Sequence, residues 1–251
     1  MAFDAGMLAC TLHELRQSAE GARIEKVYQP ERDEIVLQMR SFEGGRRLLI
    51  NAGSGNPRIG FTEVQKENPQ NPPMFCMLLR KYLQGAKLCE ISQADFDRVA
   101  FLGFDTRDEM GFSCRRYLIA ELMGKYSNLI FADENKKIIT ALRTTDFSAD
   151  SLRPLLPGMN YVLPPVQDKQ NPLTATKESF LELWQSAPAE RGCDKFLVNA
   201  YSGIAPVVAR EVVFLSTGHT DTPIRYCFAE DVWKHFLPFA NAFAQRILTP
   251  A

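Results

Sequence analysis

The chain opens on a helical rhythm. Met7, Leu8, Leu12 and Leu15 recur at three- and four-residue steps behind Asp4, a residue type that caps helix starts. A first helix ending near Ala19 or Gly21 follows from that spacing. The rhythm then becomes alternation. Segments 23–29, 34–40 and 46–51 alternate apolar and polar residues as half-buried strands do. The links between them, Pro30-Glu31-Arg32-Asp33 and Phe42-Glu43-Gly44-Gly45, are short and polar, so these strands are expected as antiparallel neighbours. A loop over 52–57 leads to another extended piece at 58–62.

A second helix is expected over Met74–Leu83. Pro72 and Pro73 lack the N–H that a first helical turn leaves unpaired, so they mark its start, and Gly85 marks its stop. Met74, Met77, Leu78 and Tyr82 read as its core-facing stripe, with Arg80, Lys81 and Gln84 on the other side. After a strand at 87–91, alternation resumes at 98–104, 114–123, 128–132 and 137–142. The first 145 residues therefore predict a meandering antiparallel sheet with at least two helices, which suits a β-sandwich or a flattened barrel. Pro154, Pro157, Pro164, Pro165 and Pro172 mark a surface-hugging connector. Helical patterns then occupy 177–185, 193–201, 206–215 and 229–248. The expected class is α+β, with a sheet domain over 1–172 and a helical domain over 173–251.

Composition adds bounds. The 251 residues are 45% hydrophobic and 24% charged, ordinary for a globular protein. Net charge is −1, so nucleic-acid binding would need a local basic patch rather than a whole-molecule field. Asp4, His13, Glu14 and Arg16 interrupt the apolar run that a secretory leader needs, and no stretch is long enough for a membrane span. A reducing cytoplasm and no membrane partner are expected. The six cysteines are scattered with no CxxC pair, so no metal site and no cofactor are expected. The three histidines, His13, His219 and His235, lie in no hydrolase motif.

Three places could carry binding chemistry. Arg80, Lys81 and Arg98 put three cations near one sheet edge, as a solvated face or as a phosphate-binding one. Lys125, Tyr126, Ser127 and Asn128 form a turn that sets a cation, an aromatic ring and two short polar side chains at a sheet edge. Lysine can take an RNA phosphate and tyrosine can stack on a base, while a plain hairpin turn explains the same residues. Segment 196–213 reads as helix, Ser202-Gly203-Ile204-Ala205 hairpin, helix. That is either a phosphate-binding helix-hairpin-helix or a structural αα-hairpin.

Taken together, the motifs resemble the NFACT family of ribosome-associated quality-control factors. The resemblance rests on Arg23-Ile24-Glu25-Lys26-Val27-Tyr28-Gln29-Pro30, on Asn71-Pro72-Pro73-Met74-Phe75-Cys76-Met77-Leu78-Leu79-Arg80-Lys81 and on Phe96-Asp97-Arg98. Glu121-Leu122-Met123-Gly124-Lys125-Tyr126-Ser127-Asn128 and Leu156-Pro157-Gly158-Met159-Asn160-Tyr161 complete it, in the family's order. The resemblance implies an NFACT N-terminal domain, similar in fold to the N-terminal domain of formamidopyrimidine-DNA glycosylases, followed by a helix-hairpin-helix domain. Relatives continue into a coiled coil and a further RNA-binding domain, so this chain is expected to be an N-terminal fragment. The implied partners are the large ribosomal subunit carrying peptidyl-tRNA and alanyl-tRNA, recruited for untemplated alanine tailing of stalled chains. Asp97 and Arg98 match the family's Asp-Arg pair, which the resemblance ties to tRNA. The chain is thus expected to bind rather than catalyse. The alternatives are an adhesin for fibronectin, as an older family name suggests, and a glycosylase. The opening Met1-Ala2-Phe3-Asp4 lacks the proline and glutamate that glycosylases of that type use.

Overall fold

Short polar links between alternating segments make the next strand in sequence the nearest neighbour, and all but one of the strand pairs in the structure form that way. In this computed structural model, residues 3–42, 44–145, 153–165 and 168–244 are described. After helix α1 (Ala5–Ala19) come β1 (Arg23–Glu31), β2 (Glu34–Ser41), β3 (Gly44–Asn51) and β4 (Arg58–Phe61). Helix α2 (Met74–Leu83) interrupts the sheet. It is followed by β5 (Lys87–Gln93), β6 (Val99–Arg107), β7 (Ser113–Glu121), β8 (Asn128–Ala132) and β9 (Ile138–Ala141). All nine strands join one sheet in the order β4-β3-β2-β1-β5-β6-β7-β8-β9, antiparallel throughout.

One continuous sheet replaces the two stacked sheets that a sandwich implies. Its two parts meet at a narrow seam. Strands β1 and β5 share the single register pair Arg23↔Lys87, flanked by bonds such as Gly21 N–H to Leu88 O at 2.7 Å and Ile24 N–H to Ala86 O at 2.8 Å. Strands β2 and β3, by contrast, stay in register along their whole length. The seam lets the sheet curl. Arg143, just past β9, pairs with Asp33 at 2.6 Å in the β1–β2 turn and donates to Ala52 O at 3.1 Å beyond β3. Residues from nearly opposite ends of the strand order thus touch. Every residue of β8 is buried, as a strand covered on both faces requires.

Helix α2 packs at the seam, and its inward face differs from the one expected. Phe75, Cys76, Leu79 and Leu83 are buried, whereas Met74 is 75% and Met77 49% exposed. Arg80 lies on the inward side, where its Nε donates to Val27 O at 2.8 Å. The Met74-Met77 stripe is therefore an outer surface. Methionine and leucine both satisfied the helical spacing, and the two faces differ by one residue of phase.

The helical unit comprises Met1–Cys10, Asp95–Asp97 and Pro165–Ala251; the remaining residues form the sheet unit. Its main stretch therefore begins at Pro165, eight residues before the expected start at 173, and two further pieces of chain join it. Its helices are α3 (Lys177–Ser186), α4 (Cys193–Ala200), α5 (Pro206–Thr217) and α6 (Ala229–Ala244); the expected positions 245–248 lie outside the described residues. Thr176 and Ser179 cap α3 reciprocally, each side-chain oxygen accepting the other's backbone N–H. An aromatic core holds the unit together. The Phe180 ring lies 5.7 Å from Phe196, 5.3 Å from Trp233 and 6.3 Å from Phe236, and Tyr201 lies 4.7 Å from Phe236. Among the described residues, no helix is long and apolar enough to cross a membrane.

Candidate nucleic-acid interface

The site grows from one end of β6 and β7. Val99 pairs with Glu121, so the residue before β6 and the residue after β7 are neighbours. Leu122 N–H donates to Arg98 O at 2.8 Å and continues that ladder by one bond. Two residues further on, the chain tightens into a 3₁₀ turn, Gly124–Tyr126, entered through Gly124 at φ 60°. Arg98 and the Gly124–Tyr126 turn are therefore brought to the same sheet end.

The turn divides its side chains sharply. Lys125 is exposed, and its Nζ sits 4.8 Å from the centroid of the Tyr126 ring, which is itself 71% exposed. A cation resting on an outward aromatic face can meet a phosphate while the ring meets a base. Ser127 and Asn128 go the other way, at 2% and 4% exposure. The Asn128 side chain accepts from Leu129 N–H at 2.9 Å and Arg143 N–H at 3.0 Å and donates to Arg143 O at 2.7 Å. Arg143 also donates to Ser127 O. The expected RNA-backbone role of Ser127 and Asn128 is corrected on that ground: both are buried, and Asn128 spends its polar atoms on closing the sheet.

The Asp97–Arg98 pair occupies the β5–β6 turn. Asp95 there adopts φ 45°, and Ala94 N–H closes the turn onto Val99 O at 3.0 Å. Phe96 is buried in the helical core, with its ring 5.3 Å from Phe243. Asp97 and Arg98 are both half-buried, and each already has an interaction within the chain. Arg80 and Lys81 each have a partner within the chain. Arg80 is spent on Val27 O, and Lys81 pairs with Glu109 at 2.8 Å, a partner that raises the lysine pKa. The structure thus places Arg98 and the turn carrying Lys125 and Tyr126 at one sheet end and gives Arg80 an internal partner.

Sequence spacing missed the buried support beneath this end. Glu121, 2% exposed at the side chain, accepts from Arg153 Nη2 at 2.7 Å and from Tyr161 Oη at 2.8 Å. Burial and the Glu121 charge push the Tyr161 phenol well above its ordinary range, so it stays a donor. These partners come from distant parts of the chain; the only signal was that Glu121 and Tyr161 each sit inside a family motif.

The Ser202–Ala205 hairpin joins α4 to α5. Gly203 has φ 70°, and a Cβ there would run into Phe96 O and lie 2.7 Å from Ala5 Cβ. Its lack of a side chain is used for packing against the turn that carries Asp97.

Known proteins resemble this chain along most of its length. The domain family described as NFACT N-terminal and middle domains matches residues 4–250. The chain is 37% identical over 214 residues to the Rqc2 homolog RqcH of Bacillus subtilis, covering 85% of this chain and 37% of that relative. It therefore spans little more than a third of that relative's length. It is 27% identical over 146 residues to the human ribosome quality control complex subunit NEMF, covering 58% of this chain and 13% of that protein. Among solved structures, the N-terminal part of the fibronectin/fibrinogen-binding protein of Streptococcus suis superposes with a TM-score of 0.82 at 35% identity, covering 96% of this chain and 85% of that one. Motif order, sheet and turns, and a family match running nearly end to end lead to one assignment: this chain belongs to the NFACT family, as its N-terminal and middle domains.

Proposed function

We propose that this chain is the tRNA- and large-subunit-binding part of a ribosome-associated quality-control factor, which recruits alanyl-tRNA for C-terminal alanine tailing of stalled nascent chains. The observation that carries the reading is the placement of Arg98 and the Gly124–Tyr126 turn at one sheet end. A planar guanidinium, an outward ammonium and an outward aromatic ring are the three side-chain types that grip phosphate and stack on bases. The relatives' names supply the ribosomal setting.

In this reading the chain binds and orients; peptide-bond chemistry stays with the ribosome, and the protein works in the cytoplasm. Asp97 orients Arg98 or accepts from a nucleotide donor. The α4–α5 pair acts as the helix-hairpin-helix of the family, and its contribution is to seat the Phe96–Asp97 turn through Gly203 rather than to hold phosphate.

Binding of alanyl-tRNA to the purified chain tests the proposal. Arg98→Ala is expected to weaken binding by about 1–3 kcal/mol with the fold intact, the scale of one bidentate contact. Unchanged binding by the folded variant would sink the reading. The likeness to the Streptococcus suis protein favours a second reading, fibronectin binding. Saturable fibronectin capture that survives Arg98→Ala would place that activity on another surface.

A further inference from the structure

A basic concavity lies on the sheet unit, over strands β1–β4. Alternation puts Tyr28, Val36, Leu49 and Arg58 on one face of β1–β4. An extended strap, residues 62–68, runs over that face and leaves a cavity of about 160 Å3 beneath it. The strap is tied at both ends. Thr62 N–H donates to Arg47 O at 3.0 Å, and Lys66 Nζ pairs with Glu34 at 2.9 Å and Glu31 at 2.5 Å.

The lining is amphipathic and cationic. Val36 and Leu49 are buried and form an apolar floor beside the Tyr28 ring. Arg47, Arg58 and Lys66 face the cavity against one carboxylate, Glu34, which Lys66 already neutralises. No carboxylate among the described residues pairs with Arg47 or Arg58. The side-chain amide of Gln65, on the strap, faces the Arg47 guanidinium at 2.6 and 3.0 Å when its oxygen is turned inward. A neutral partner of that kind fixes the guanidinium plane and leaves its charge for a ligand.

Size narrows the ligand. Sites for whole drug-sized molecules run to roughly 300–1,000 Å3, so this cavity admits one small unit, a ring system with its phosphate at the mouth. It shares Arg47, Thr62 and Gln65 with an open groove of about 620 Å3, where Arg46 stacks 5.0 Å over the Phe61 ring. A ring slot with an apolar floor, an arginine pair and a groove leading away have the layout of a site for one nucleotide unit. We propose that the strap pocket binds a nucleoside phosphate, with its base over Leu49 and Tyr28 and its phosphate between Arg47 and Arg58. The unit comes either from a free nucleotide or from an unpaired nucleotide of RNA whose chain continues along the groove.

The pocket shares no lining residue with Arg98, Lys125 or Tyr126, so each proposal can fail alone. The test is titration calorimetry of the purified chain with adenosine monophosphate and with an unstructured RNA of about eight nucleotides. Arg58→Ala, on an exposed edge strand, and Arg47→Ala are run beside the wild type. At least about tenfold weaker binding by Arg58→Ala, at an unchanged thermal midpoint, is expected, which is the loss of a charge-assisted contact. Displacement of the RNA by the mononucleotide would identify the free nucleotide as ligand; binding of the RNA without such competition would identify an unpaired RNA nucleotide. Wild-type protein that takes up neither probe, or Arg47 and Arg58 variants that bind as wild type does, would overturn the proposal. Alanyl-tRNA binding is read in parallel on the same wild-type protein, and its absence beside an occupied pocket would strike the tRNA proposal alone.

Discussion

Two turns carry a glycine in the left-handed region beside residues suited to phosphate, and they do opposite things. At Gly124 (φ 60°) a Cβ would meet nothing within 4 Å, and the next two side chains, Lys125 and Tyr126, point outward. At Gly203 (φ 70°) a Cβ would run into Phe96 O, and the next two residues, Ile204 and Ala205, are buried. Both glycines announce the same backbone conformation. The space around the glycine and the exposure of the two residues after it separate the outward turn from the packing turn. Phosphate-binding hairpins bring backbone close to a ligand; here the Ser202–Ala205 hairpin brings it close to the chain's own Phe96.

The comparison predicts a graded set of effects. Gly203→Ala is the most damaging. It adds a backbone clash to an unfavourable φ and should cost about 3 kcal/mol or more in urea unfolding. Gly124→Ala meets only the φ penalty and should cost about 1 kcal/mol. If the two substitutions cost the same, the distinction between the two turns collapses. Asn128→Ala falls between the two. It strands three hydrogen-bond partners at the closure with Arg143 and should cost about 2–3 kcal/mol, while tRNA affinity per folded molecule stays unchanged. A specific loss of tRNA binding in folded Asn128→Ala protein would return that residue to the interface.

Smaller still is the effect of Lys136, which sits at φ 62° in the β8–β9 turn with its Nζ over the Tyr117 and Phe101 rings. Burial outweighs the nearby Glu90 charge and brings its pKa down to about 8 from 10.5. A base with a lowered folded-state pKa opposes folding below pH 8, and that opposition fades as pH rises from 8 to 10.5. Lys136→Met should therefore raise stability at pH 7 by under about 1 kcal/mol, allowing for solvent screening. In thermal melts the gain should vanish toward pH 10.5. A gain that holds or grows with pH would show that burial of the charge is not its cause.

Local pattern made the elements legible. The prolines before Met74 and the glycine after Leu83 fixed α2 to the residue, and short hairpins fixed most of the strand neighbours. What pattern missed was registered across distance. The β1–β5 seam forms only after the chain has travelled through three strands and α2, so no hairpin signals it. The inner face of α2 was misread because Met74, Met77 and Leu78 carry the same helical period as Phe75, Cys76, Leu79 and Leu83. Arg143 and Arg153 could not be singled out, since Asp33, Ala52 and Glu121 become their partners only through the curl of the sheet and the return of the 153–161 segment. At the site, Arg98, Lys125 and Tyr126 were legible as residue types in motifs. The inward turn of Ser127 and Asn128 was not, because short polar side chains serve surface and core closure equally.

The central claim is that Arg98 and Lys125 belong to one tRNA-binding face. Its most direct test is tRNA binding across a salt series by wild type, each single alanine variant and the double Arg98→Ala/Lys125→Ala. Removing one phosphate contact should lower the slope of log affinity against log salt by about one, so the double variant should show a slope lower by about two. That result, with native melting behaviour, is what the shared sheet end predicts. A folded double variant with wild-type affinity and slope would contradict it.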